Sequence, residues 1–271
     1  MSRAARCAAV LVAALWLAAA APAHAAEPPP GSVWEEHYFP SGDGTSLHAD
    51  VLRPAHLPKD ARTPVLLTVS PYLNHADSGG GPSDRFYDFL ELSGALKKGY
   101  TYVMVDLRGF GGSGGCNDWG GPGERMDAKV AVEWAASQPW STGRVGMLGK
   151  SYDGWTGLMA IAERPKGLAA VLSMEPVYSG YRYLYSDGVR FLNSLATPLL
   201  FQAYDARPGA PSDTVQYQVN GTGPNGPCYA ANIGQQQLDD PTHEFWLARD
   251  LLVPARGATT PLFLTQGYLE T

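Results

Sequence analysis

The stretch Gly143-Arg-Val-Gly-Met-Leu-Gly-Lys-Ser-Tyr-Asp-Gly154 constrains this chain more than any other. The apolar run Val145–Leu148 has the length and composition of a buried strand. Gly149 to Gly154 then predicts a sharp turn around Ser151, and Tyr152–Glu163 continues as a helix that Arg164-Pro165 stops. Strand, tight turn with a central serine, and helix is the arrangement of a nucleophile elbow. A serine there sits at strained backbone angles and neighbouring Cβ atoms would clash, which is why glycine surrounds it. The turn lifts the hydroxyl above the sheet, and the helix N-terminus behind it favours developing negative charge. One position departs from the usual pattern: two residues after the serine stands Asp153 instead of glycine, with Gly154 one later. A plainer reading of the same residues is a surface turn in which Ser151 is an ordinary helix N-cap.

The chain has 271 residues, 45% hydrophobic and 17% charged, so it can bury a sizeable core, and the composition argues against wholesale disorder. A net charge of −6 argues against a nucleic-acid partner. Residues 1–25 read as a secretory signal peptide. Arg3 and Arg6 form the basic start, Ala8–Ala20 is the apolar run, and Ala23-His24-Ala25 is a small-x-small cleavage site, with cleavage after Ala25. The apolar run is too short for a stable membrane span, so a secreted, uninserted protein is expected. Cys7 leaves with the signal. Cys116 and Cys228 remain, either a disulfide suited to an oxidising compartment or two buried thiols. Two cysteines with no histidine nearby make a poor zinc site, and no metal is expected.

After a proline-rich lead-in, Val33–Phe39 and Leu47–Leu52 read as strands joined by a hairpin at Asp43-Gly44. Val65–Ser70 and Tyr100–Val105 are continuous apolar strands of the kind buried in a parallel sheet. Asp84–Lys98 and Glu124–Ser137 read as helices, the second with Met126, Val130 and Trp134 spaced by four. The elbow strand and its helix follow, then a strand at Leu168–Met174. This alternation predicts a mostly parallel sheet with right-handed crossovers and helices on both faces. It stops after residue 177. Residues 178–258 read as an inserted helical cap, with helices at Val189–Tyr204 and His243–Leu252, and the sheet resumes within residues 259–271 at Pro261–Thr265. Gly109-Phe-Gly-Gly-Ser-Gly114 matches a dinucleotide-binding pattern in letters, but more loop follows it where a helix is required, and no cofactor is expected.

Several segments together resemble one family. Asp106-Leu-Arg-Gly-Phe-Gly-Gly-Ser113, Gly149-Lys-Ser-Tyr-Asp-Gly154, Glu175-Pro176 and the nearby Tyr181-Arg-Tyr183 are similar to the X-prolyl dipeptidyl-peptidase and cocaine-esterase group of α/β-hydrolases, over roughly Val33 to Thr271. The resemblance implies the α/β-hydrolase fold and a serine hydrolase with Ser151 as nucleophile. It places an oxyanion-binding tyrosine at Tyr72 and a carboxylate at Glu175. An acyl transfer needs two donors aimed at the oxyanion, and the backbone N–H of Tyr152 is the natural second one. Glu175, just past a strand, either holds a substrate α-ammonium or is a structural carboxylate. Tyr178 and Tyr181 either wall a proline pocket or pack the cap onto the core. Asp106 and Arg108 are expected to pair with each other as a brace. In such hydrolases the acid and then the histidine follow the serine in sequence. Glu270 stands at the acid's place, and the histidine is expected beyond Thr271, with a C-terminal β-sandwich; His75 and His243 are the stand-ins. The expected activity is that of a secreted Xaa-Pro dipeptidyl-peptidase acting through an acyl-enzyme on a peptide or small acyl substrate, with the 271 residues alone inactive. The alternatives are an esterase or acylase of the same group, or a binding protein without the base. The oligomeric state stays open.

Overall fold

The computed structural model describes residues 27–73, 82–192, 194, 196–197, 200–201 and 235–267. Residues 1–25, read above as a signal peptide, His75, Cys228 and Glu270 lie outside the described residues. Nine strands and five helices occur among those described. β1 (Ser32–Pro40) and β2 (Ser46–Pro54) come first, then β3 (Thr63–Ser70), α1 (Tyr87–Ser93), β4 (Thr101–Asp106) and α2 (Pro122–Ser137). β5 (Ser141–Lys150), α3 (Tyr152–Glu163), β6 (Leu168–Met174) and α4 (Gly180–Leu184) follow, then β7 (Tyr185–Ser186), β8 (Val189–Arg190), α5 (Glu244–Leu247) and β9 (Leu262–Thr265).

Seven strands form one mixed sheet in the order β1-β2-β4-β3-β5-β6-β9. β1, β2 and β4 pair antiparallel, and all pairings from β4 to β9 are parallel. Every residue of β4 is buried, because both faces are covered. Val103 and Val105 face one core with Val65, Leu67, Val69 and the α2 and α3 residues Ala128, Ala131, Val132, Trp155 and Met159. Tyr102 and Met104 face the other, with Leu52, Leu148 and, from α1, Leu90. Small residues bring α3 close to the sheet: a Cβ at Gly157 would lie 2.9 Å from the Val171 side chain.

Four local expectations change. The helix expected over 84–98 runs only from Tyr87 to Ser93, because Gly94 takes the left-handed conformation (φ 63°) and caps it. The buried face of α2 is Glu124, Asp127, Ala128, Ala131, Val132 and Ala135, whereas Met126 is exposed and Trp134 stacks on Phe39 from β1 at 4.4 Å. The expected helix from Val189 begins instead as strand β8, paired with β7 around an Asp187-Gly188 turn with both φ positive (47° and 86°). The expected helix over 243–252 is the single turn α5. Among the described residues no helix is long and apolar enough to cross a membrane.

Candidate active site

Ser151 joins β5 to α3 with φ 61° and ψ −118°, outside the regions that side-chain-bearing residues normally occupy. The surroundings enforce this. A Cβ at Gly149 would lie 2.3 Å from the Asp153 backbone, and one at Gly154 would lie 3.0 Å from the Met174 carbonyl. The Ser151 N–H donates to the Met174 carbonyl at 2.9 Å, tying the turn to the end of β6. The Ser151 side chain makes no capping hydrogen bond, so the ordinary N-cap reading does not hold.

Tyr72 follows β3 directly. Its hydroxyl is hydrogen-bonded to the Ser151 side chain and to the backbone of Tyr152. Burial pushes its pKa up to about 12 against the opposing effect of those bonds, so the phenol keeps its proton at neutral pH and can donate. The Tyr152 backbone sits at the first turn of α3, where an N–H lacks an intrahelical acceptor. Three groups predicted from separate stretches, Ser151, Tyr72 and Tyr152, thus meet at one point. A carbonyl attacked by the serine would place its developing oxyanion within reach of an O–H and an N–H.

The Tyr152 side chain turns inward and donates to Glu124 at 2.7 Å. Glu124 also accepts the backbone N–H groups of Asp118 and Gly120, each at 2.7 Å. Burial, with Asp118 nearby, pushes its carboxyl up to about 7. The glycine-rich loop is thereby folded onto the elbow and delivers Trp119. Trp119 packs on Tyr152 at 5.8 Å, on Phe201 at 5.2 Å and on Tyr183 at 6.1 Å, and Phe201 lies 6.0 Å from Tyr72. Trp119 and Phe201 escaped the sequence reading because neither has periodic neighbours. Gly120-Gly121 beside Trp119 was the available signal: a Cβ at Gly120 would lie 2.1 Å from the Trp155 ring.

Other expected residues stand elsewhere or are otherwise engaged. Glu175 is strained (φ 47°) at the end of β6, and its carboxylate pairs with Lys150 at 3.0 Å. Tyr181 is buried, stacks on Tyr185 at 5.1 Å and donates its hydroxyl to the Asp239 carbonyl at 2.9 Å. With Tyr178, Trp246, Asp187 and Asp250 it lines a cavity of about 760 Å³ whose lining includes neither Ser151 nor Tyr72. Asp106 and Arg108 do not pair with each other. Asp106 accepts from His48 Nδ1 at 2.8 Å and from the Gly112 N–H at 2.9 Å, while Arg108 binds Asp127 and Asp43. Their side chains leave the loop toward different elements, which adjacency in sequence did not reveal. Cys116 is disulfide-bonded.

Four histidines fall among the described residues. His48 is held between Asp106 and Glu36, and His37 lies against Glu35 and Trp134. His243 Nδ1 accepts from the Phe245 N–H at the start of α5, and His56 is exposed in the turn after β2.

Residues 43–271 match the family model for X-Pro dipeptidyl-peptidase (S15 family). The chain is 28% identical to a Streptomyces avermitilis protein named "Putative Xaa-Pro dipeptidyl-peptidase", over 88% of this chain and 38% of that protein. It is 29% identical to the cocaine esterase of a Rhodococcus species, over 88% of this chain and 44% of the esterase. It therefore spans about two fifths of the length of these relatives. A CocE/NonD family hydrolase from Staphylococcus aureus shares the fold, with a TM-score of 0.62 and 23% identity over 85% of this chain and 40% of that structure. The sheet topology agrees with that shared fold, and the chain, matched over residues 43–271, belongs to the S15 family of serine hydrolases.

Proposed function

We propose that the protein is a secreted Xaa-Pro dipeptidyl-peptidase that works through an acyl-enzyme on Ser151. The observation that carries this reading is the convergence of the Tyr72 hydroxyl and the Tyr152 backbone on a serine held in the elbow conformation. Ser151 Oγ attacks the substrate carbonyl while a histidine takes its proton. The carbonyl oxygen becomes an oxyanion that accepts from the Tyr72 O–H and the Tyr152 N–H. Collapse breaks the scissile C–N bond, and the histidine returns the proton to the leaving amine. Water, deprotonated by the same histidine, then attacks the acyl group and frees Ser151.

Glu270 is the proposed orienting carboxylate, with the histidine following it as the fold orders its triad. Glu175 supplies the charge that a free substrate amine requires, exchanging Lys150 for the substrate ammonium. An esterase is the second reading, favoured by that same Lys150, which already compensates the carboxylate. Tyr178 and Tyr181 are proposed as substrate contacts through the cavity they line, not at the oxyanion.

A chromogenic panel of Gly-Pro, Ala-Pro and simple ester substrates on the intact protein tests the reading. Ser151→Ala should lower kcat by on the order of 10⁴-fold or more. Full activity in a folded Ser151→Ala protein would remove Ser151 from the mechanism. Turnover by residues 26–271 that Ser151→Ala abolishes would make His75 or His243 the base. N-terminal sequencing of exported protein should begin at Ala26.

A further inference from the structure

The elbow departs from the usual glycine pattern at Asp153, and that side chain is wholly buried. A buried carboxylate is costly unless each oxygen is satisfied. The two oxygens of Asp153 are used separately. Oδ1 accepts from Ser70 Oγ at 2.5 Å, and Oδ2 accepts from Arg85 Nε at 2.8 Å and Nη2 at 2.5 Å.

Both routes lead to Tyr72. Ser70 Oγ gives its proton to Asp153 and accepts the backbone N–H of Tyr72 at 3.0 Å. The Arg85 guanidinium carbon lies 4.9 Å from the Tyr72 ring centre and 4.6 Å from that of Phe86. Arg85 is itself anchored, since its carbonyl accepts from the buried Tyr102 hydroxyl at 3.1 Å. One carboxylate therefore fixes the backbone of Tyr72 through Ser70 and the face of its ring through Arg85.

We propose that Asp153 and Arg85 are a positioning pair that holds the Tyr72 hydroxyl where the oxyanion develops. This rests on the reading of Tyr72 as an oxyanion donor. The phenol hydroxyl sits at the far end of a rigid ring, so a small rotation about the Cα–Cβ bond sweeps it through a large arc. A misplacement of about 1 Å can cost roughly a hundredfold in rate. Glycine at position 153 would satisfy the turn but would leave the ring untethered. Lysine at position 85 would keep the charge and lose both the fork to Asp153 and the flat face on the ring.

The test is a double-mutant cycle in the intact protein, with an ester and an Xaa-Pro anilide as substrates. Arg85→Met should lower kcat roughly ten- to hundredfold with KM nearly unchanged, and Arg85→Lys should recover only part of the loss. In a Tyr72→Phe background the Arg85→Met step should cost less than about twofold, because the hydroxyl it positions is already gone. An equal loss in both backgrounds, or no loss in either, overturns the pairing. Tyr72→Phe with parental kcat overturns the oxyanion reading beneath it. Should Arg85→Met fail to fold by circular dichroism, Arg85→Lys is carried through the same two backgrounds and judged by the same coupling.

Discussion

The proposed donor role of Tyr72 requires that it keep its proton, and burial, which pushes its pKa up to about 12, ensures that it does. Removing the hydroxyl while leaving the ring should therefore affect the oxyanion and little else. Tyr72→Phe is expected to lower kcat by roughly 10²–10³ with KM almost unchanged, as measured by steady-state kinetics. A selective rise in KM would make Tyr72 a binding residue. Glu175 poses a different problem, because its carboxylate already holds Lys150. If it exchanges that lysine for a substrate ammonium, Glu175→Gln should slow Xaa-Pro substrates and spare esters that lack a free amine. Equal slowing of both classes would leave Glu175 a structural partner of Lys150.

β1 and β2 add an antiparallel flap to the parallel sheet, and His48 stitches it in place. Its Nδ1 bonds Asp106 at the end of β4, and its Nε2 bonds Glu36 on β1 at 2.9 Å. Burial pulls the imidazole toward the neutral form, but the two carboxylates outweigh it and push the pKa up to about 10. A folded-state pKa raised above the unfolded value of 6.5 gives stability that is complete below that value and lost as pH rises through about 10. The raised carboxyl of Glu124 is half ionised near 7 and almost fully ionised roughly 1.5 units higher, so the loss that continues above that pH reports His48. Urea midpoints should fall by the equivalent of a few kcal/mol across this range, and His48→Gln should flatten the slope. A variant slope as steep as the parent's would reject the assignment. The strands themselves were legible, since apolar runs and the Asp43-Gly44 turn fix them locally. The extent of α1 was not: helical spacing continues past Gly94, and only the left-handed Gly94 ends the helix.

At the scale of the molecule, the glycine-rich loop is a packed wall of the site. Gly109 has no room for a Cβ, which would lie 2.4 Å from the Asn117 backbone, and Arg249 Nη2 donates to Asp118 at 2.8 Å across the loop. The disulfide at Cys116 pins the same loop. We expect its partner to be Cys228, which would bind the loop to the cap. Closing a loop of that length contributes ~3–5 kcal/mol if the bridge is unstrained. Cys116→Ser should accordingly lower the thermal midpoint, and non-reducing peptide mapping should recover a Cys116–Cys228 pair. Free Cys228 thiol in that map would dismiss the pairing.

The sequence alone determined the seven strands of the main sheet, the helices α1 to α3 between them and their order, because hydrophobic runs, glycine turns and proline stops act over a few residues; the β7–β8 hairpin and the single turn α5 were not among them. It also determined the elbow, since strand, glycine, serine, glycine and the start of the helix follow one another without interruption within residues 143–154. What it left open is whatever depends on neighbours distant in the chain. Asp153 read as a departure, and only the tertiary structure shows it bonded to Ser70 and Arg85, 83 and 68 residues away. Asp106 and Arg108 read as partners, yet each found a carboxylate or imidazole on another element. Burial decides such pairings, because a charged group withdrawn from water must take whichever partner the packing brings within hydrogen-bond reach.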